Sequence, residues 1–336
     1  MQISVSTPNR IDLAGGTTDI YPLYLILEGG CTVNVAVNIR SRVMLSTPCD
    51  DMFSIVSEDM GESVTAPYVS DLRPDGPLGL VCRAVRAVPP PGPIEVRTRN
   101  EAPVGSGIGA SSALLTALLA GLGRLSGRVE NLRSLISLAA GIETAAMGVP
   151  AGKQDYVSAC YGGISVIDFG YKGFEGRRSP PADGTVAGLE QMMVLSYCGE
   201  TRFSGQNNWE MVKRFIDGVD GVRDRLAAIR DVARETADVL LAGNLDELGP
   251  LVEREWNLRR ELAPGISTPN VEAIILAARE AGATGGKVCG AGGGGCIVNI
   301  VPPHRKAAVE AAICEAGGTV MDFRLDPRGL DIVEMN

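Results

Sequence analysis

The chain has 336 residues, which is enough for a large buried core and predicts two domains. Hydrophobic residues make up 45% and charged residues 21% of it, a composition typical of a soluble globular protein. The net charge of −9 argues against a general nucleic-acid surface, which needs a basic face. A polyphosphate ligand would therefore need a local electropositive pocket or a metal ion.

Cysteine and histidine usage excludes several kinds of site. The eight cysteines include no C-x-x-C pair, which predicts buried thiols in a reducing compartment. The only histidine, His304, follows two prolines and is predicted to lie on the surface at a helix start. A histidine-rich zinc site and an ordinary Ser-His-Asp triad are thus nearly excluded. We see no signal peptide and no apolar stretch of about 18 residues, so we expect a cytoplasmic protein without a transmembrane helix.

The first half of the chain alternates between strand-like and helix-like patterns. It is predicted to contain strands at 2–14, 31–47, 52–57, 94–99 and 164–169, and helices at about 111–122 and 131–147. The double-glycine turn Gly15–Asp19 after the first strand is either a loop that reaches a ligand or a plain turn capped by aspartate.

The second half is predicted to follow a polar, Gly/Pro-rich linker at 170–188. Its predicted strands lie at 192–197, 296–301 and 319–324. Its predicted helices lie at about 206–242, with an interruption, and at 246–262, 269–281 and 303–316. No repeat of solenoid period is present in the sequence.

The stretch Glu101–Gly123 carries the strongest chemical signal. Three glycines spaced every second residue and a serine pair lead into a run of helix formers: Gly105, Gly107, Gly109, Ser111 and Ser112. Glycines let a backbone approach a ligand closely, and a helix start leaves unpaired N–H groups at the positive end of its dipole. The pattern predicts an anion site, most often a phosphate site. The alternative is a flexible turn before an ordinary amphipathic helix.

Three familiar motifs are excluded, two by their context and one by its absence. Gly290–Gly295 satisfies G-x-G-x-x-G, but a strand-like run follows it where a dinucleotide site needs a helix. Asp168–Gly170 spells DFG, but the chain has no HRD loop. The P-loop pattern is absent because no lysine follows Gly109.

Four segments taken together resemble the GHMP kinases, which include galactokinase, homoserine kinase, mevalonate kinase and phosphomevalonate kinase. These segments are Arg10–Asp19, Pro103–Ala113, Glu143–Asp155 and Lys287–Gly295. The second departs from the family pattern at Ile108, where leucine is usual, and by an extra residue, Ala110, before the serine pair. The resemblance implies an α+β GHMP kinase fold. Its N-terminal half, placed at 1–185, would resemble domain 2 of ribosomal protein S5, and its C-terminal half, at 186–336, would be ferredoxin-like.

Finer details resemble the sugar-kinase branch, and within it the D-glycero-D-manno-heptose 7-phosphate kinase group. The Gly-Gly-x-Thr-Asp form of the first segment, Gly152–Asp155 and the closing glycine run carry this likeness. Two stretches depart from it: the chain reads Asn38-Ile-Arg40 where that group commonly carries a basic residue soon after the acidic position of the second strand, and 197–209 has no clear match. These departures leave the sugar open rather than the kinase activity.

The resemblance implies ATP and Mg²⁺ as cofactors and assigns roles to particular residues. The phosphates of ATP would be held by Pro103, Gly105, Ser106, Gly107, Ile108, Gly109, Ala110, Ser111 and Ser112. Ser112 and Glu143 would ligate Mg²⁺, although a lone Glu143 would otherwise be read as a solvated helix residue. The substrate would contact Gly16, Thr18, Asp19, Lys153, Gly292 and Gly293. Lys153 either binds a substrate phosphate or caps its loop.

Asp155 is the candidate catalytic base; its alternative is a plain turn residue. Arg10 would offset charge on the transferring phosphoryl group or hold Asp155 ionised. Lys287 and the glycines after it form either a wall beside the phosphates and substrate or a hairpin-like glycine turn.

We therefore expect an ATP-dependent kinase that phosphorylates a sugar or sugar phosphate, at the anomeric hydroxyl in the heptose 7-phosphate kinase reading. A galactose, fucose or uronic acid 1-kinase remains open, and an isoprenoid kinase is less favoured. The rival from another class is a non-catalytic GHMP-fold sensor of sugar and ATP. The presence of Arg10, Glu143 and Asp155 argues against it, since a sensor need not keep a base. We expect no nucleic-acid or membrane partner and leave a homodimer open.

Overall fold

The structure, a computed structural model, describes residues 2–48, 51–128, 131–179, 184–200 and 204–335. In these ranges the strands are, in chain order, β1 (Gln2–Ala14), β2 (Gly30–Ser46), β3 (Phe53–Ser57), β4 (Glu62–Ala66), β5 (Glu95–Asn100), β6 (Ile164–Gly170), β7 (Gly173–Arg178), β8 (Met193–Tyr197), β9 (Gly285–Val288), β10 (Cys296–Ile300), β11 (Thr319–Met321) and β12 (Asp331–Met335). The helices are α1 (Leu23–Ile26), α2 (Gly79–Ala87), α3 (Ala110–Leu125), α4 (Leu132–Met147), α5 (Gln154–Tyr161), α6 (Thr185–Met192), α7 (Ser204–Ile216), α8 (Val222–Ala242), α9 (Leu248–Arg259), α10 (Pro269–Glu280) and α11 (Lys306–Glu315).

The larger sheet is organised around its two longest strands, β1 and β2. They pair antiparallel, and the strand order is β12-β1-β2-β5-β3-β4. The first part of β2 also pairs with β6, which in turn pairs with β7, and the last part pairs with β5. Two register shifts in β1, after Pro8 and after Asp12, bracket the segment that carries Arg10. Arg10 and Asp12 share one face of the strand because side chains alternate with a period of two.

The smaller sheet has the order β11-β8-β10-β9, and each of its neighbouring pairs is antiparallel. Helices α10 and α11 pack against each other beside it. The chain then returns to the larger sheet, where β12 pairs with β1 from Gln2↔Met335 to Ser6↔Asp331. The division of the chain into 1–185 and 186–336 stays a prediction.

Helix α3 lies in the interior, packed on β1, β2 and α4. Its leucines are buried on every side: Leu114, Leu115, Leu118, Leu119 and Leu122. A helix that is apolar all round is stable only inside a core, where each such leucine contributes about 1.5–3 kcal/mol. This burial fixes the N-terminus of α3, and with it the glycine loop that comes before.

Most predicted elements are found close to their expected bounds. The long helix predicted at 206–242 is interrupted at 217–221, where Gly218 and Gly221 have φ values of 70° and 74°. Helices α1, α2 and α5 and strands β4, β9 and β12 were not predicted. The linker predicted at 170–188 is wrong where the structure describes it, because β7 and α6 occupy much of that range; residues 180–183 lie outside the described chain. The sequence of β7, GFEGRR, is largely polar and does not suggest a strand. Backbone pairing with β6 at the edge of the sheet holds this strand.

The thiols and the histidine lie as expected. Seven cysteines are free, and six of them are buried; Cys314 is exposed, and Cys49 lies outside the described residues. His304 is exposed in a short 3₁₀ turn at Pro303–Arg305. Of the helices that the structure describes, none is both long and apolar enough to cross a membrane.

Candidate active site

An open cleft with a cavity volume of about 180 Å³ lies where β1, the loop before α3, the start of α5 and the turn between β9 and β10 meet. It brings together most of the residues predicted for phosphates, metal, catalysis and substrate: Arg10, Gly16, Asp19, Gly105, Ser106, Gly107, Gly109, Ala110, Ser111, Ser112, Glu143 and Asp155. The other predicted site residues do not line it: Thr18, Pro103, Ile108, Lys153, Gly292 and Gly293.

The glycine loop ends at the N-terminus of α3 in a conformation that few other residues adopt. Gly105, Gly107 and Gly109 have φ values of 71°, 72° and 80°. Gly109 caps α3 in the left-handed conformation and, being glycine, offers no capping side chain; none of the described side chains accepts a hydrogen bond from the first turn of the helix. The N–H groups of that turn are therefore available to an anion in the cleft.

The loop is held from behind by the glycine-rich turn between β9 and β10. The N–H of Cys296 donates to the carbonyl of Ser106 at 2.6 Å. A Cβ on Gly290 would lie 2.9 Å from the carbonyl oxygen of Gly107, and one on Gly295 would lie 2.7 Å from that of Ser106. The two backbones touch only because these positions lack side chains, so the turn between β9 and β10 forms a wall of the glycine loop.

Gly292 and Gly293 belong to the same turn but face away from the cleft. The N–H of Gly293 donates to the carbonyl of Ile266 at 2.6 Å, and a Cβ on Gly292 would meet that carbonyl oxygen at 2.5 Å. Within this turn it is Gly290 and Ala291 that line the cleft.

Asp155 stands in the first turn of α5 and is joined to Arg10 of β1. Both Nε and Nη2 of Arg10 contact Oδ1 of Asp155, at 2.8 Å and 2.7 Å. Arg10 also donates through Nη1 to the carbonyls of Gly107 and Cys289. Burial alone would lower the pKa of Arg10, but Asp155, Asp12 and Cys289 together outweigh this and raise it. One arginine thus connects β1, the glycine loop before α3, the turn between β9 and β10, and the candidate base.

Oδ2 of Asp155 is directed toward the phosphate loop. A Cβ on Gly109 would lie 3.2 Å from it. The carboxylate therefore has one oxygen held by Arg10 and the other beside the residue that begins the phosphate-binding helix. This geometry suits a group that takes a proton from a hydroxyl close to a bound phosphate.

Glu143 is buried near the end of α4, so the reading as a solvated surface residue does not apply. Its two carboxylate oxygens accept hydrogen bonds from the hydroxyls of Ser111 and Ser112, each at 2.8 Å, and Oε2 also accepts from Tyr156. Burial raises the pKa of Glu143, against the lowering effect of these hydroxyl donors. Hard oxygen donors thus cluster at the N-terminus of α3.

Asp19 is buried and is held by the start of α5. Its Oδ2 accepts from the N–H groups of Lys153 and Gln154 at 2.6 Å and 2.9 Å. A Cβ on Gly152 would lie 2.4 Å from that oxygen, so the Gly152 position needs glycine. Burial raises the pKa of Asp19 to about 6.

Thr18 and Lys153 support this region rather than line the cleft. The hydroxyl of Thr18 donates to the carbonyls of Gly15 and Cys31, which fixes the double-glycine turn. Nζ of Lys153 lies beside Gly173 in the hairpin of β6 and β7, at 3.2 Å from where a Cβ on that glycine would stand.

Four fully buried charges lie under the double-glycine turn: Asp12 on β1, Glu255 and Arg259 on α9, and Lys287 on β9. Lys287 Nζ lies 3.2 Å from Asp12 Oδ2 and 3.3 Å from Glu255 Oε2, and Arg259 pairs with Glu255 at 2.6 Å. Burial alone would raise the pKa of Glu255, but Arg259 and Lys287 outweigh this and lower it. Lys287 is therefore buried in an ion network and does not line the cleft.

Arg259 carries this network to the turn itself. It donates to the carbonyl of Gly16 at 2.6 Å and to the hydroxyl of Thr17 at 3.2 Å. Thr17 has a φ of 77°, which is strained for a β-branched residue. The α9 helix thus fixes the turn that leads to Asp19.

Sequence reasoning missed several residues of the site. Gln154 and Tyr156 flank the candidate base and were within reach of a motif argument. Glu255 and Arg259 were not, because an acidic and a basic residue four apart on a helix normally form a surface pair. Asn208 of α7 also lines the cleft; it lies in the stretch 197–209 that had no match, of which 201–203 fall outside the described residues.

Comparisons with known proteins identify the family of this chain. Two family models match: GHMP kinases N terminal domain over residues 79–163 and GHMP kinases C terminal over residues 236–319. A mevalonate kinase of Methanothermobacter thermautotrophicus is 31% identical over 270 residues, which cover 79% of this chain and 85% of that protein. The D-glycero-alpha-D-manno-heptose 7-phosphate kinase of Campylobacter jejuni is 25% identical, with 98% of each chain covered.

Solved structures share the fold. The crystal structure of a D-glycero-D-manno-heptose 1-phosphate kinase from Bacteroides thetaiotaomicron aligns with a TM-score of 0.82 at 24% identity and covers 99% of both chains. The predicted α+β GHMP kinase fold is confirmed, and so is the prediction of a phosphotransferase that uses ATP. The chain belongs to the GHMP kinase family of ATP-dependent small-molecule kinases.

Proposed function

We propose that this cleft transfers the γ-phosphoryl group of Mg-ATP to a hydroxyl of a sugar or sugar phosphate. The first candidate is the anomeric hydroxyl of a heptose 7-phosphate, because the likeness to the Campylobacter jejuni enzyme extends over 98% of both chains. The observation that carries the proposal is the ion pair of Arg10 with Asp155, placed beside the uncapped N-terminus of α3.

The phosphates of ATP bind along the glycine loop and the first turn of α3. Backbone N–H groups and the helix dipole supply the positive potential there, in place of the lysine of a P-loop. The wall formed by Gly290 and Gly295 keeps the loop in position. Pro103 and Ile108 act through the loop backbone, since Ile108 is buried and its carbonyl accepts from the N–H of Arg10 at 2.9 Å.

Ser112 and Glu143 fit a Mg²⁺ ion. Mg²⁺ prefers hard oxygen ligands, keeps several waters and is held in such sites by one or two protein groups and the phosphates of the substrate. The Ser112 hydroxyl and the Glu143 carboxylate are 2.8 Å apart and line the cleft at the end of the phosphate loop. Bound there, the ion would neutralise charge on the β- and γ-phosphates.

Asp155 acts as the general base. Its carboxylate takes the proton of the acceptor hydroxyl, whose oxygen forms the new bond to the γ-phosphorus while the bond to the bridging oxygen of ADP breaks. Arg10 orients the carboxylate through Oδ1 and leaves Oδ2 beside Gly109. General-base assistance of this kind contributes about 10²–10⁴-fold.

Asp19 orients the acceptor by accepting hydrogen bonds from its hydroxyls. Lys153 fixes Asp19 through its backbone N–H. Among the described residues its ammonium group is paired with no carboxylate, so it is also the candidate to meet a phosphate carried by the acceptor. A Lys153→Met variant would then lose kcat/KM for a sugar phosphate but not for the same sugar without phosphate.

A coupled assay of ADP release tests the proposal. The panel contains heptose 7-phosphate, galactose, fucose, a uronic acid and mevalonate, since a mevalonate kinase is also among the relatives. Turnover of at least one sugar supports the proposal. ATP binding without turnover of any compound would favour the non-catalytic sensor instead.

A further inference from the structure

A polar corner of the cleft lies over Gly16, next to the proposed acceptor site. The place where a side chain of Gly16 would begin is crowded by polar atoms: Asp12 Oδ2 at 2.3 Å, Gln154 Nε2 at 3.0 Å and Arg259 Nη2 at 3.3 Å. All four residues line the cleft. Asp12 Oδ2 occupies the space that a side chain of Gly16 would need, so this position requires glycine.

Three acceptor atoms of Asp12 and Gln154 have no hydrogen-bond donor among the described residues. Asp12 is 1% exposed and Gln154 is 7% exposed. Among the described residues, no group donates a hydrogen bond to either carboxylate oxygen of Asp12 or to Oε1 of Gln154, and the 3.2 Å ion pair with Lys287 reaches only Oδ2 of Asp12. Buried polar groups are normally hydrogen-bonded, so unpartnered acceptors on two residues that line the cleft indicate a ligand that brings donors.

The cations of the corner are already engaged. Arg259 is fully buried and donates to Glu255, to the carbonyl of Gly16 and to the hydroxyl of Thr17. Lys287 is fully buried between Asp12 and Glu255. A carboxylate or phosphate placed in the corner would therefore face the charge of Asp12, and no described residue supplies an unpaired cation there to offset it.

We propose that Asp12 and Gln154 determine acceptor specificity by binding hydroxyl groups, so that the cleft takes a polyol and rejects an acceptor with a carboxylate at this position. The proposal rests on the function proposed above and narrows its substrate class. Asp12 Oδ1 accepts from one hydroxyl and Gln154 Oε1 from the same or an adjacent one. Glu255, Arg259 and Lys287 are positioning residues that hold Asp12 and the Gly16 backbone.

The test measures binding and turnover separately, with the full chain. Calorimetry with galactose, fucose, heptose 7-phosphate and mevalonate, in the absence of ATP, measures acceptor binding without phosphoryl transfer. We expect at least one sugar to bind and its affinity to fall at least tenfold in Asp12→Ala, while Asp71→Ala, a change on the exposed surface, leaves it unaltered. Mevalonate binding tighter than every sugar, or no sugar binding at all, would overturn the proposal. Sugar binding without phosphorylation would instead contradict the proposed kinase function but not the proposed binding of hydroxyl groups at the corner.

Single-deoxy analogues of the sugar that binds distinguish contact from support. In the wild type we expect one analogue to bind at least tenfold more weakly than the parent sugar. In Asp12→Ala the same analogue should bind as well as the parent, while other analogues keep their wild-type ratios. Asp12→Asn, which keeps the shape of the side chain, serves if Asp12→Ala does not fold. A uniform loss across all analogues, or no analogue that discriminates in the wild type, would show that Asp12 only supports the fold.

Discussion

Arg10 and Asp155 are 145 residues apart in the chain, and two guanidinium nitrogens of Arg10 lie within 2.8 Å of a single oxygen of Asp155. The same guanidinium group donates to Gly107 of the phosphate loop. The position of the candidate base is therefore coupled to the position of the loop that receives the phosphates. The predictions below test this coupling and the groups around it.

Replacing Arg10 by lysine should impair the enzyme although the charge is kept. A lysine ammonium is a point donor and cannot span Asp155, Gly107 and Cys289 as the guanidinium fork does. We expect kcat to fall by at least about tenfold and the thermal midpoint to drop, since disrupting a buried pair is costly. Steady-state kinetics and thermal unfolding measure both.

The matched control for this change is Arg42→Lys. Arg42 pairs with Glu101 at 2.9 Å on the surface, and such pairs contribute about 0–1 kcal/mol. It should leave kcat and the thermal midpoint nearly unchanged. Equal effects of the two substitutions would mean that Arg10 has no special role.

The Gly290→Ala substitution should loosen the phosphate loop. The added methyl group would lie 2.9 Å from the carbonyl oxygen of Gly107, so one backbone must shift. Overpacking of this kind costs about 1–3 kcal/mol. We expect a lower thermal midpoint and a raised KM for ATP. Gly141→Ala is the control, because Gly141 is exposed on α4 with no atom near its missing side chain and should be neutral or stabilising.

The Glu143→Gln variant should weaken the dependence of nucleotide binding on Mg²⁺. The amide keeps the size of the side chain but removes the charge that a cation needs. Calorimetry should show that the gain in ATP affinity on adding Mg²⁺, present in the wild type, is reduced in this variant. Glu280→Gln, on the exposed end of α10, should retain the full gain. A full gain in both variants would exclude Glu143 as a metal ligand.

Acceptor use should depend on pH through Asp19. Burial raises the pKa of Asp19 from 3.8 to about 6. Its carboxylate accepts hydroxyl donors only when ionised, so kcat/KM for the acceptor should fall as pH decreases through about 6. Asp19→Asn should have lower activity and lack this limb of the profile. A profile with the same limb in the variant would assign it to another group.

The same shift has a consequence for stability. Because the folded-state pKa lies above 3.8, the folded protein binds more protons than the unfolded chain between the two values. The contribution of Asp19 to stability is therefore present below about pH 4 and is lost as pH rises through about 6. Asp19→Asn should raise the thermal midpoint more at pH 8 than at pH 4.

The sequence predicts those parts of the site that depend on local order along the chain. Gly105, Gly107 and Gly109 have the positive φ values that their spacing suggested, because the steric preference is local. The strand β1 follows from its alternation. The joining of Arg10 to Asp155 came from resemblance to a family, since no local rule pairs residues 145 positions apart.

What the sequence does not reveal is set by burial. Glu255 and Arg259 resemble a surface pair on an amphipathic helix, yet both are fully buried under the double-glycine turn. In the sequence Asp12 resembles an ordinary strand residue. In the structure its carboxylate pairs with Lys287 and fills the space that a side chain of Gly16 would need. Strand β7 was predicted as part of a linker because its sequence has no alternating apolar pattern; its backbone pairing with β6 is visible only in the structure.

The most direct test of the central claim is the kinetics of Asp155→Asn with the sugar that the wild type phosphorylates best. The amide keeps the size of the side chain but cannot take the proton from the acceptor hydroxyl. We predict that kcat falls by about 10²–10⁴-fold while the dissociation constant of ATP changes little. An unchanged kcat would contradict the assignment of Asp155 as the base of this kinase.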